Sequence, residues 1–230
     1  IGVVAAMTIP TLIANTNSAK FRSQFKKTLS TLNQAGLMAE AQYDFSYGDA
    51  VNACGDNPGT DTPTAAENNL TFCSLLNGTL TGQTVTTEAP YTATDEPRLQ
   101  GASTAITNAG TLAYYSLADG SMVAVPRGAK AAACVLEIGS VLNSAWITSH
   151  PNCVGYIDVN GRTLPNREVT CSAQGNGSGS APDTSSMNPD QACTVASDQA
   201  HMTDIFPVVF HDTTVEPATD AAKAVLATAK

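Results

Sequence analysis

The chain has 230 residues, enough for one substantial core or two small ones. Its formal net charge of −9 argues against a nucleic-acid partner, because phosphate binding needs clustered Lys and Arg. Charged residues are only 13%, and Ala, Thr, Ser, Asn and Gly fill the gap, as they do on many secreted and surface proteins.

The first stretch, Ile1-Gly-Val-Val-Ala-Ala-Met-Thr-Ile-Pro-Thr-Leu-Ile-Ala14, carries no charge; the first ionisable side chain is Lys20. Each buried methylene contributes about 0.8 kcal/mol, so such a run must find lipid, a partner or its own core. Lys20, Arg22, Lys26 and Lys27 follow it, against Glu40 alone, and the rest of the chain is strongly acidic. That basic cluster suits either a membrane flank or a solvated helix face. Pro10 removes a backbone donor and predicts a kink or local melting. Phe21, Phe25, Leu29 and Leu32 then fall on one stripe of a 3.6-residue period, continued by Ala35, Met38, Ala39 and Gln42. Residues 1–46 therefore read as a long helix in two halves, the first apolar all round and the second amphipathic. The apolar half is short for a full membrane span, which needs ~20 residues. It lacks the basic start and cleavage signal of a signal peptide.

Residues 47–230 read as a head. Ala53–Pro63 is turn chemistry. Thr64-Ala-Ala-Glu67 is a capping box that predicts a short helix through Leu75 or Leu76, ended by Asn77-Gly78. Residues 79–111 read as coil with one edge strand. Leu112–Ala118 and Ser121–Val125 flank Asp119-Gly120, a hairpin signal, and Tyr156–Val159 before Asn160-Gly161 is a second. Ala133–Ile138 fits a strand or a helix. Ile205–Phe210 reads as a strand that Pro207 places at an edge or a bulge. A polar insertion spans about 167–200, low in complexity over 174–182. Asp220–Ala227 reads as a short helix capped by Asp220 or Thr219.

Six separated cysteines, with no C-x-x-C, point to disulfides in an oxidising compartment. Six allow 15 pairings. Sequential pairing, Cys54–Cys73, Cys134–Cys153 and Cys171–Cys193, would close one local loop each. His150, His201 and His211 show no metalloprotease spacing, and no G-x-S-x-G elbow is present, so no catalytic or cofactor-binding residue is assigned and the chain is not read as an enzyme. Asp158-Val-Asn160-Gly161 opens like a calcium loop but lacks the third oxygen ligand and the distal Glu. Turn statistics favour a hairpin there over a calcium site at Asp158 and Asn160. Asn69, Asn77 and Asn176 match glycosylation acceptors. Trp146 reads as core or inter-subunit packing.

The apolar helix, Phe21-Arg-Ser-Gln-Phe-Lys-Lys27 and Leu32-Asn-Gln-Ala35 together resemble the N-terminal helix of type IV pilins and type II secretion pseudopilins. Leu117–Val125, Tyr156–Asn166 and Asp204–Phe210 are similar to segments common in the heads of such bacterial proteins. Family members start with a cleaved leader before an N-methylated residue, with a Glu shortly after; this sequence starts about a dozen residues too late to show either, and those residues would complete a membrane-length run. The resemblance implies an α+β fold: a long N-terminal helix packed on a small antiparallel sheet, with disulfide-stapled loops. It implies a structural subunit of an extracellular pilus-like filament, anchored in the inner membrane before assembly and handled by pilus or secretion machinery. Its assembly residues would be Ile1, Gly2, Val3, Val4, Ala5, Ala6, Ile9, Pro10, Leu12, Ile13, Phe21 and Phe25. A secretion pseudopilin or a membrane-anchored adhesin is the alternative. Some pseudopilins bind calcium in the head, which keeps Asp158 and Asn160 in view.

Overall fold

A computed structural model describes residues 2–63, 70–88, 112–130, 132–163, 166, 168–169, 171–174, 193–195 and 203–227, with 2–16, 144, 148, 171–174 and 193–194 described by backbone alone. The first element is a single helix, α1 (Gly2–Tyr43), and its backbone stays helical across Pro10. The predicted stripe is its packing face: Phe21, Phe25, Leu29, Leu32, Ala35 and Ala39 are buried. Met38 and Gln42, predicted to continue that stripe, are exposed instead. At 3.6 residues per turn Met38 sits about 120° round from Leu32. Gly36 takes the inward position.

The helix lies against a six-stranded antiparallel sheet in the order β1 (Thr84–Thr86), β2 (Leu112–Ser116), β3 (Met122–Pro126), β4 (Val154–Asp158), β7 (Ile205–His211), β8 (Thr214–Pro217). Two shorter strands, β5 (Cys171–Gln174) and β6 (Cys193–Val195), pair separately. The fold is thus α+β, with the long N-terminal helix on an antiparallel sheet as expected from sequence. Strands β2, β3, β4 and β7 are almost wholly buried. Phe25 stacks on Phe206 at 4.3 Å between ring centroids. Tyr47, Phe72 and Phe210 form a second aromatic group, 5.2–5.8 Å apart. The Tyr47 hydroxyl donates to the Leu32 carbonyl at 2.8 Å, which satisfies the one polar atom that this buried ring carries.

The Asp119-Gly120 hairpin forms between β2 and β3. Its loop has three residues, 118–120, and the left-handed φ falls on Gly120 at +87°. The second predicted hairpin, at Asn160-Gly161, does not form. Strand β4 already has β3 on one side and β7 on the other, so no edge is free for a returning strand. The chain turns out of the sheet instead and bridges Ile205 in parallel at Glu168. Pro207 is likewise in an interior strand, not at an edge. Its carbonyl accepts from the Ala218 N–H, and the return bond that its missing donor forfeits falls just past the end of β8. Ala133–Ile138 is neither strand nor helix but an irregular loop leading to α3 (Ser144–Ser149).

Helix α2 (Phe72–Thr79) begins later than predicted. Thr71 is its cap, in a reciprocal capping box with Ser74, and the helix continues one residue past Gly78. The predicted box at Thr64–Glu67 lies outside the described residues. Helix α4 (Asp220–Ala227) is capped by Thr219, whose hydroxyl accepts from the Ala222 N–H at 3.1 Å. Two disulfides, Cys54–Cys73 and Cys134–Cys153, match the sequential pairing. The side chains of Cys171 and Cys193 are outside the described set; their backbones lie on the paired strands β5 and β6, opposite Val195 and Gln174. The low-complexity run at 174–182 falls outside it too, apart from Gln174.

Candidate functional site

The candidate assembly segment is the N-terminal half of α1. Its backbone is one helix with the half that packs on the head, so the apolar run is presented on the end of a rod. Forty-two residues make a helix of about 63 Å, whereas the longest strand, β7, spans about 24 Å. No strand accompanies the helix along its length. Ile1 and the side chains of Gly2, Val3, Val4, Ala5, Ala6, Ile9, Pro10, Leu12 and Ile13 lie outside the described residues. Phe21 and Phe25, grouped with them from sequence, belong to the head's own core, at 8% and 0% exposure. Among the described residues, no helix is long and apolar enough to cross a membrane.

The helix is fastened to the sheet by polar contacts that the periodicity does not reveal. Near the β2–β3 turn, Thr28 donates to the Ser121 hydroxyl, and Lys27 pairs with Asp119 at 3.1 Å. Burial works against the charged form of Asp119, but hydrogen bonds from the Ser121 hydroxyl and N–H, and the Lys27 ammonium, hold its carboxyl below its usual range. Further along, the Asn33 amide donates to the Val215 carbonyl at 3.2 Å and accepts from the Val215 N–H at 2.6 Å. It does for edge strand β8 what a neighbouring strand would do. Gly36 then lets the β7–β8 turn come close: a Cβ there would lie 2.3 Å from the Thr213 carbonyl oxygen.

The calcium expectation falls on the end of β4. Asp158 is fully buried, and its Oδ1 accepts from the Asn160 N–H at 3.2 Å, so the carboxylate holds its own turn. Sequence reasoning missed its neighbour Asp204, also fully buried. The Asp204 carbonyl accepts from the Val159 N–H, and its Oδ2 accepts from the Asn166 N–H at 2.9 Å. These two acids tie together the turns at the ends of adjacent strands. Among the described residues, the group of three His, Cys, Asp or Glu ligand atoms within 4.8 Å is Cys54, Asp61 and Cys73. Its two sulfurs are bonded to each other and are not free thiolates.

A polar cleft of about 260 Å³ lies beside that disulfide, lined by Gly55, Thr60, Asp61, Thr62, Thr71 and Ser74. Asp61 accepts there from the Gly55 N–H and the Thr71 hydroxyl. Asn77 donates to the Pro58 and Asp61 carbonyls at 2.7 and 2.8 Å, which gives this glycosylation-motif residue a structural role.

Two further ionisable groups sit in unusual surroundings. Lys130 places its ammonium 3.7 Å from the Phe72 ring centroid and donates to the Ala50 carbonyl; burial pushes its pKa down to about 7. His211 lies between Glu216, 3.8 Å from Nε2, and Asp212, 2.9 Å from Nδ1. Burial opposes its charge, but the negative charges of Glu216 and Asp212 and the hydrogen bond to Asp212 outweigh it and raise the imidazole pKa. Trp146 packs against this group, its ring 4.2 Å from His150 and 6.3 Å from His211. The Ser149 hydroxyl is 2.9 Å from His150 Nδ1, but it also donates to the Trp146 carbonyl, and no carboxylate among the described residues orients that histidine. His201 lies outside the described set.

The class that these observations define is an α+β head carried on the far end of a long helix. No family model, no curated protein and no solved structure matches the chain.

Proposed function

We propose that this chain is the structural subunit of an extracellular pilus-like filament, polymerising through the apolar half of α1. The observation that carries the reading is one continuous 42-residue helix whose second half packs one face on the head and whose first fourteen residues hold no ionisable group. The resemblance to type IV pilins and pseudopilins supports it. Copies of the same helix are the partner that such a surface fits: Gly2, Ala5 and Ala6 allow close helix approach, and the branched residues between them interlock. In this reading the run rests in the inner membrane before assembly and passes from there into a helix bundle, with the assembly machinery as its transient partner. The disulfide-tied head becomes the outer surface.

The test compares the full chain with one lacking residues 1–14, by negative-stain microscopy and sedimentation. Filaments from the full chain and monomers from the truncated one support the proposal. Equal assembly of both, or monomers from both, overturns it.

A further inference from the structure

Outside α1, the large apolar side chains that stand exposed among the described residues gather on one loop. The loop closed by Cys134–Cys153 leaves Val135, Ile138 and Val141 at 43%, 107% and 65% exposure. Three branched aliphatic side chains in water at one place are unusual for a monomer's surface. The loop is not loose. Its Cys134 carbonyl accepts from the Asp212 N–H, and the Leu136 N–H donates to the Asp212 carboxylate. Acids surround it: Glu137 is exposed in the loop, and Asp212 and Glu216 are each nearly half exposed beside it.

The complement to an apolar, acid-rimmed loop is a surface with basic residues and small side chains. The chain carries one. Residues 1–40 hold four basic residues against one acid, while the rest holds seven against nineteen. On α1, Ala19, Lys20, Ser23, Lys26 and Ser30 form an exposed stripe at three- and four-residue spacing. The loop cannot reach that stripe within its own chain. It is anchored at the β7–β8 turn, whereas Lys27 is pinned to Asp119 in the β2–β3 turn. The strand registers put those turns at opposite ends of the sheet, because β3 pairs with β4 and β4 with β7, each antiparallel.

We propose that the Cys134–Cys153 loop of one copy docks on the Ala19–Ser30 stripe of α1 in the next copy. Such a contact is heterologous: each copy offers a different surface at each end, so it propagates without closing. It rests on the filament reading and supplies the head-to-helix contact that orients successive subunits. The apolar tips of Ile138 and Val141 pack over Ala19 and Ser23, and Glu137 faces Lys20 and Lys26.

The experiment uses the full chain. Chains carrying Ile138→Cys are mixed with chains carrying Ser23→Cys under mild oxidation. The expected product is a disulfide-linked pair in the mixture and not in either preparation alone. Ile138→Asp with Val141→Asp lowers the assembled fraction about tenfold, as expected for loss of a central apolar contact. Glu137→Lys and Lys26→Glu each weaken assembly, and together they restore it. Cross-linking of Ile138→Cys to itself, or its absence from the mixture, overturns the proposal. So does a lower melting temperature of the aspartate variant with unchanged assembly, which means that the loop is covered from within its own chain. If filaments form while these tests fail, only the docking falls. If the full chain forms no filaments, the filament reading falls, and the mixed cross-link alone decides the docking.

Discussion

Replacing Gly36 by Ala sets two effects of opposite sign against each other. Gly inside a helix costs roughly 0.5–1 kcal/mol relative to Ala, so on backbone grounds the substitution stabilises. The added methyl, however, would sit 2.3 Å from the Thr213 carbonyl oxygen and 2.8 Å from the Tyr47 ring. The oxygen is backbone, in the tight turn between β7 and β8, and cannot rotate away. The ring is held by its hydroxyl on Leu32 and by Phe72 and Phe210. Forcing an extra carbon into a packed site costs typically about 1–3 kcal/mol, and a 2.3 Å approach to backbone takes the upper part of that range, about 2–3 kcal/mol, so the clash wins by about 1–2 kcal/mol. For a protein of this size that lowers the melting temperature by about 2–8 °C. Thermal unfolding followed by far-ultraviolet circular dichroism measures it. A Gly36→Ala protein as stable as the parent, or more so, would refute the claim that α1 is seated by backbone contact at this turn. The same variant should loosen the loop anchored on Asp212, the next residue to Thr213.

Replacing both Cys134 and Cys153 by Ser opens a loop with a sequence separation of 19 and should cost about 3 kcal/mol, read as a lower denaturant midpoint. The pKa of His211 is raised in the fold, so its contribution is fully present below the unfolded value of about 6.5 and is lost as pH rises through the folded value. The stability advantage of the parent over His211→Gln should therefore be greatest in mild acid and shrink towards alkaline pH; a constant difference would sink the assignment. Lys130 has the opposite sign: with its pKa pushed down to about 7, stability is fully present above the unfolded value and falls as pH drops through 7. Lys130→Met should flatten that part of the pH–stability curve, and an unchanged curve would show that the ammonium is not buried against Phe72. The chain's one tryptophan, Trp146, meets His211 edge-on, so its fluorescence should change as His211 loses its proton, and that change should be absent in His211→Gln.

What was legible in the sequence followed from period and turn chemistry. Phe21, Phe25, Leu29 and Leu32 announced the packed face of α1, and Asp119-Gly120 announced a hairpin because a left-handed residue was needed there. Two of the three sequential disulfides, Cys54–Cys73 and Cys134–Cys153, followed from loop closure. Misreadings came where a local signal met a tertiary constraint. Asn160-Gly161 is a good turn, but a hairpin also needs a free edge, and β4 has none. Pro207 is tolerated inside the sheet because β8 stops at Pro217, a fact about a different segment. Asn33 and Gly36 carried a usable signal, since both are poor helix formers in mid-helix, and their reason is the close pass of β8 and its turn.

That close pass also constrains how copies can meet. Edge strands are the usual template for pairing between chains. Here the β8 edge is occupied by the Asn33 amide at Val215 and overlain by α1 at Gly36. The opposite edge strand, β1, has only three residues. Among the described residues, neither edge of this sheet offers a long row of unpaired backbone groups, so strand addition is disfavoured at both. In the proposed filament, contacts between copies are then left to side chains. The described side chains best suited to them are the apolar tips on the Cys134–Cys153 loop and the basic stripe on α1. A disulfide and the Asp212 contacts hold the first, and the burial of Phe21, Phe25 and Leu29 holds the second, so neither needs another copy to take its shape.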